Sequence, residues 1–162
     1  MSTTPASDVG IEGVNLEVIH GKDPYPDWMT EQELAEFLHH NMKPYEDTIE
    51  DILSALDYAR SDAEGKGGFI LIAEKDHDIL GALVMLETGM GGYVPEHILL
   101  FVGVRPDLRG KGVGGWLVRE GIARCKGKVK LHVEYDNPAK RLYERVGFTT
   151  KYAEMRVPAG GK

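Results

Sequence analysis

Val102-Gly-Val-Arg-Pro-Asp-Leu-Arg-Gly-Lys-Gly-Val-Gly-Gly115 is the stretch on which the fold turns. An apolar run, Ile98–Val104, leads into a turn, and the turn leads into the apolar helical pattern of Val113–Cys125. Gly110, Gly112 and Gly114 carry no Cβ, so a ligand can come close to the main chain. The N–H groups that open the following helix have no partner within it, and the helix dipole favours an anion there. Arg109 and Lys111 add positive charge at the same spot. The blander reading is a glycine turn with two solvated cations. Glycines, cations and a helix start in register favour a phosphate cradle.

Working outward, His97–Val104 has few polar residues and reads as a central, buried strand. Upstream, Phe69–Ala73 and Ile79–Leu86 read as a hairpin. The glycine-rich Thr88–Val94 between hairpin and central strand reads as a mobile loop. Thr30-Glu-Gln-Glu33 is a capping box ahead of Leu34, Phe37 and Leu38 at helical spacing. Ile49, Ile52, Leu53 and Leu56 mark a second amphipathic helix ending near Arg60. Val14–Ile19 reads as a first strand. Downstream, Val129–Tyr135 reads as a strand with Leu131, Val133 and Tyr135 on one face. Asn137-Pro138 starts a helix that Gly147 stops, and Phe148–Val157 reads as a last strand. The order is β-α-α-β-β-β-α-β-α-β, an α/β domain with one mixed sheet flanked by helices. A single domain over residues 1–162 is expected, with a loose leader at 1–13 and a frayed tail at 158–162.

Composition narrows the function. The 162 residues include 19 Lys+Arg against 26 Asp+Glu, a net charge of −7, which argues against a nucleic-acid partner. Apolar runs such as Ile98–Val104 are too short to cross a bilayer, so no membrane partner is expected. One cysteine, Cys125, allows neither an intrachain disulfide nor a cysteine metal cluster, and a cytoplasmic compartment is the simplest reading. Cys125 itself reads as core. His39-His40 point to different faces of a helix with no third ligand near, so no metal is expected.

Two nucleotide readings compete for the cradle. Gly110-x-Gly112-x-x-Gly115 matches the dinucleotide fingerprint, and Glu134 follows about 20 residues on. In that fingerprint, however, the strand feeds almost directly into the first glycine, whereas Arg105–Arg109 intervene here. Too few elements follow to complete a doubly wound domain. The ATP-type loop needs Ser or Thr after its Lys, and Lys111 is followed by Gly112.

Arg109-Gly-Lys-Gly-Val-Gly114 resembles the Arg/Gln-x-x-Gly-x-Gly/Ala pyrophosphate loop of the GNAT superfamily of acyl-CoA-dependent N-acetyltransferases. Asn137-Pro-Ala-Lys-Arg-Leu-Tyr-Glu-Arg-Val-Gly-Phe148 resembles that superfamily's second motif, and one strand separates the two. The resemblance covers roughly Phe69–Val157 well and the N-terminal helices loosely. It implies a GNAT-like fold, acetyl-CoA as co-substrate, no metal, and an acceptor amine on a small molecule, peptide or protein. Main-chain groups of Val102 and Val104 would pair with the pantetheine arm. Main-chain N–H groups of Arg109, Gly110, Lys111, Gly112, Val113 and Gly114 would bind the pyrophosphate. Asn137 and Tyr143 would face the thioester, with Tyr143 protonating the departing thiolate.

Three departures from the family pattern stand out. The Asn137-to-Tyr143 spacing is one residue short, so Asp136 competes with Asn137 for the usual Asn place. Room for only one strand follows Gly147, so the family's last strand is either missing or supplied by a partner chain, which makes a homodimer one option. The usual base positions fall near Ile98 and Leu100, which cannot take a proton; Glu96, His97, His132 and Glu134 are the nearby candidates, alongside a base acting through water or an amine that arrives neutral. The implied activity is direct attack of a primary amine on the acetyl thioester. A non-catalytic acyl-CoA-binding module is the alternative. Glu46, Asp47, Glu50, Asp51 and Asp57 hint at a cationic acceptor, though such residues are more often the solvated face of a helix.

Overall fold

A computed structural model describes residues 4–5 and 9–161. Strands β1 (Thr4–Pro5), β2 (Asn15–His20), β3 (Gly68–Lys75), β4 (Asp78–Glu87), β5 (His97–Val104) and β6 (Val129–Lys130) lie in chain order in one sheet. Neighbours from β1 to β5 are antiparallel, and β6 runs parallel to β5, so the sheet is mixed as expected. Helices α1 (Glu31–Asn41) and α2 (Ile49–Ala59) cover one face; α3 (Val113–Ala123) and α4 (Ala139–Val146) cover the other.

The period-2 pattern of the strands builds both cores. Phe69, Leu71 and Ala73 of β3 face α3 with Leu83 and Met85 of β4. Ile70, Ile72, Ala82 and Val84 face α1 and α2, against Leu34, Leu38, Ile52 and Leu56. Burying both faces explains why these strands read as continuous apolar runs. Both N-terminal helices start on threonine caps: Glu33 N donates to Thr30 Oγ1 and Asp51 N to Thr48 Oγ1, each at 3.1 Å.

The alternation fails at two register shifts: one in β4, where Ala73 pairs with Gly81 and Glu74 with Ile79 so that Leu80 is extra, and one in β5. Val84 pairs with Phe101 and Met85 with Leu99, which leaves Leu100 as an extra residue. Leu100 and Phe101 therefore both reach the α1–α2 core, while Leu99 and Val102 both lie on the α3 side. An all-apolar strand has no polar marker for such a bulge.

Three expected features differ. The leader is not loose throughout: Thr4–Pro5 pairs with β2, Val9 is buried, and Gly10 N–H donates to Lys111 O at 2.8 Å. The strand expected over Val129–Tyr135 ends at Lys130, because β5 pairs with it only at His97 and Ile98 and no strand flanks its outer side among the described residues. The last strand expected over Phe148–Val157 is absent. Tyr152, Met155 and Val157 are 81%, 89% and 70% exposed, so the alternating sequence is there but has no strand edge beside it. The sheet thus has a short N-terminal strand in place of the expected C-terminal one.

Candidate functional site

The site begins at the open side of β5. Arg105 N–H donates to Leu80 O. Bonding pairs alternate along an antiparallel ladder, so Gly103 and Phe101 also turn their main-chain groups to β4. Val102 and Val104 turn theirs the other way, towards β6, whose pairing has already ended at Ile98. The sheet therefore has an unsatisfied main-chain edge beside Val102 and Val104, where the pantetheine pairing was expected.

Past Val104, a single 3-10 turn (Pro106–Leu108) carries the chain to the glycine loop. Gly110 has φ +83° and Gly112 φ +88°, values that favour glycine. Gly112 caps α3 in the left-handed region with no side-chain hydrogen bond, so the first-turn N–H groups of α3 face outward unpaired. The loop's own bonds narrow the expected donor set. Arg109 N–H goes to Pro106 O and Lys111 N–H to Leu108 O, so these two cannot serve a ligand as the loop stands. Among the described residues, no main-chain acceptor holds Gly110, Gly112, Val113 or Gly114. The side chains of Arg109 and Lys111 are exposed and make no ion pair among the described residues. Gly114 also has a packing role. A Cβ on it would sit 3.4 Å from Leu142 and 3.6 Å from Val104, so it faces α4 and β5 at ordinary contact distance.

Helix α4 supplies the other wall. Asn137 Oδ1 accepts from Ala139 N at 2.9 Å and its Nδ2 donates to Glu134 at 3.2 Å, so its carboxamide caps α4. Tyr143 is half-buried, its ring edge-on to Phe148 at 5.9 Å. Burial first, then the Glu134 charge, pushes its phenol up to about 12. Tyr45, from the α1–α2 loop, donates to Asp136 O at 3.1 Å and so ties that loop to the β6–α4 turn. The lone Tyr45 in its polar loop gave no hint of this contact in the sequence.

The expected base candidates do not converge. Glu96 accepts from Lys128 N at 3.0 Å, and backbone donors hold its carboxyl below the usual range. A Cβ on Gly127 would meet that carboxylate at 2.6 Å, so Glu96 clamps the α3–β6 loop. His97 lies at the paired end of β5 with Nδ1 buried and without a hydrogen-bond partner among the described residues. His132 and Glu134 are exposed beyond the end of β6. Of the four, Glu134 alone is close enough to perturb Tyr143. His39 Nδ1 is 2.8 Å from Asp47 O, and no metal-binding group of three occurs among the described residues.

The sheet opens beside β5 and meets there the glycine-capped start of α3. The sequence profile of the acetyltransferase (GNAT) family matches residues 26–148, and the chain belongs to that family. A mycothiol acetyltransferase from Arthrobacter sp. strain FB24 is 36% identical over 94 residues, covering 54% of this chain and 29% of the relative. A second, from Corynebacterium aurimucosum, is 51% identical over 53 residues, covering 30% of this chain and 17% of the relative. The chain thus spans less than a third of the length of these relatives. An aminoglycoside N-acetyltransferase solved in complex with CoA superposes with a TM-score of 0.63 over 92% of this chain and 97% of that one, at 12% identity. That likeness is one of fold. No helix among the described residues is long and apolar enough to cross a membrane.

Proposed function

We propose that this chain transfers an acetyl group from acetyl-CoA to an amine within a ternary complex. One juxtaposition carries the reading: the unpaired main-chain edge at Val102 and Val104 runs into the unpaired N–H groups of Gly110 and Gly112–Gly114. An acyl-pantetheine chain offers amides for the first and a pyrophosphate for the second. Bound acetyl-CoA supplies the thioester and a thiolate leaving group. Val102 and Val104 align the arm, the loop N–H groups hold the pyrophosphate, and Tyr143 holds the proton that the thiolate takes as the C–S bond breaks. Burial keeps that proton on the phenol at neutral pH. The amine's proton leaves through water, with Glu134 the nearest carboxylate to Tyr143 of the candidates named.

The relatives carry the names of different acceptors, so the acceptor panel must be broad: polyamines, aminoglycosides and lysine peptides. The test is release of free thiol from acetyl-CoA with each. Thiol release that depends on an amine supports the reading. Tight CoA binding with no release for any acceptor favours the non-catalytic binding module instead, for which the engagement of Glu96 and Asn137 in structural bonds is the supporting observation.

A further inference from the structure

We infer that the leader segment Val9–Ile11 is a positioning element for the phosphate-binding loop, acting through the Gly10 main chain; this rests on the CoA reading above. Gly10 N–H donates to Lys111 O at 2.8 Å, a bond between residues far apart in sequence. Val9 anchors the segment: it is 8% exposed and shares a core with Val113 and Trp116 of α3, against which Ile11 also packs.

The peptide that Gly10 holds is one that can turn over. Lys111 is flanked by Gly110 and Gly112, both at positive φ. Glycine crosses between positive and negative φ at little cost, so the Lys111–Gly112 peptide plane can rotate through ψ of Lys111 and φ of Gly112 with no Cβ on the Gly112 side to stop it. In a trans peptide, C=O and N–H point in opposite directions. With Lys111 O fixed on Gly10, the Gly112 N–H is directed away from the leader and stays a free donor. If the plane flipped, Lys111 O would take the place of that donor, and a carbonyl dipole facing a pyrophosphate repels it. Lys111 N–H is meanwhile tied to Leu108 O, so the leader bond completes the restraint of residue 111 on both of its main-chain groups.

Linkage gives a test on the unmodified protein. If the Gly10–Lys111 bond favours the CoA-binding arrangement, CoA must in turn stabilise that bond. Hydrogen exchange at the Gly10 amide should slow roughly threefold to tenfold on saturation with CoA. Variants give the second test. Gly10→Pro deletes the donor. Gly10→Ala keeps it, and its Cβ would meet Lys111 O at an ordinary 3.5 Å. Gly10→Pro should weaken CoA binding roughly threefold to tenfold, the scale of one hydrogen bond. Gly10→Ala should bind within twofold of wild type. S-acetylpantetheine, which lacks the pyrophosphate, should bind all three chains alike. Three outcomes overturn the assignment: Gly10 exchange indifferent to CoA, a folded Gly10→Pro that binds CoA normally, or equal losses for CoA and S-acetylpantetheine. Should Gly10→Pro fail to fold, the exchange measurement decides. A wild-type chain that binds no CoA would instead remove the reading on which the inference stands.

Discussion

The Tyr143 phenol and the Cys125 thiol are both pushed towards their protonated forms by burial, with opposite consequences for their use. For an acid catalyst the shift keeps the proton in place at neutral pH. It also makes the phenol a weaker acid than the thiol it would form, so the proton moves only as desolvated charge builds on sulfur. Tyr143→Phe keeps the ring packing on Phe148 and removes only that proton. We expect kcat to fall roughly 10²-fold, with acetyl-CoA affinity nearly unchanged, since the hydroxyl matters as charge builds on sulfur. Steady-state kinetics with an active acceptor and calorimetry on the same preparation check both halves. The sign of the pH dependence follows from the raised value. The unfolded chain loses this proton near the ordinary 10 and the folded chain near 12, so the contribution to stability is complete below pH 10 and is lost as pH rises through 12. A spectrophotometric titration should therefore lose a component near pH 12 in Tyr143→Phe. For a nucleophile the same shift is disabling. Cys125 is pushed up to about 11 by burial and by the Glu87 charge, and its Sγ donates to Gly121 O. At pH 8 its thiolate fraction is roughly two orders of magnitude below that of an ordinary thiol, so iodoacetamide should label it about 10²-fold more slowly than in the urea-unfolded chain. Fast labelling of the native chain would overturn the assignment of Cys125 as an unreactive, partly buried thiol.

The α3 start shows how much of an element can be read from its residues. Gly110 and Gly112 could be singled out from sequence because a glycine-rich turn before an apolar helix has few other uses, and both adopt positive φ. Gly112→Asp would put a branched side chain at φ +88° and a negative charge beside the proposed anion, so CoA binding should be lost to within detection by calorimetry. Arg109→Ala should cost only about tenfold, because the main-chain donors remain. Normal CoA affinity in Gly112→Asp would place the cradle elsewhere. The first helix start and the hairpin were equally legible, since the Thr30-Glu-Gln-Glu33 capping box and the runs Phe69–Ala73 and Ile79–Leu86 act over a few residues. What could not be read depends on partners far away in sequence. The bulge at Leu100 is hidden among apolar neighbours, and the Tyr45–Asp136 bond and the Gly10–Lys111 bond join segments with no shared pattern. Asn137 reads both as the start of α4 and, by its motif position, as facing the thioester; its carboxamide bonds to Ala139 N and Glu134. Gly68 is a stricter case of the same limit. Nothing in its loop sequence sets it apart from Gly65 and Gly67, yet its φ is +148° and a Cβ would lie 1.9 Å from Met85 O on β4. Gly68→Ala should cost several kcal/mol, read by urea unfolding, the range of overpacking plus backbone strain; a loss below about 1 kcal/mol would show that the β3–β4 pairing yields at that point.

At the scale of the whole molecule, an incomplete edge and an incomplete site coincide. The side of β5 that lacks a strand beyond Ile98 is the side on which the pantetheine arm is proposed to pair, and α3 and α4 meet there over Gly114 and Leu142. Acetyl-CoA would thus touch β5, the α3 start and α4 together, elements that otherwise meet through modest packing along that edge. Unfolding would have to break all of these contacts at once. The unfolded chain offers none of them, so the ligand should stabilise the fold by mass action alone. At acetyl-CoA about 100-fold above its dissociation constant this amounts to roughly 2.7 kcal/mol. For a chain of this size each kcal/mol moves the midpoint by roughly 2–4 °C, so Tm should rise by about 5–11 °C in a thermal shift or calorimetric scan. S-acetylpantetheine should give a smaller rise, because it reaches the strand edge but not the loop. Added sodium chloride should shrink the acetyl-CoA rise more than the S-acetylpantetheine rise, since screening weakens the contacts of Arg109 and Lys111 with a pyrophosphate. A folded sample whose Tm stays fixed at millimolar acetyl-CoA would overturn the co-substrate assignment. Equal rises for the two ligands would place the arm on β5 but take the pyrophosphate away from Gly110–Gly114.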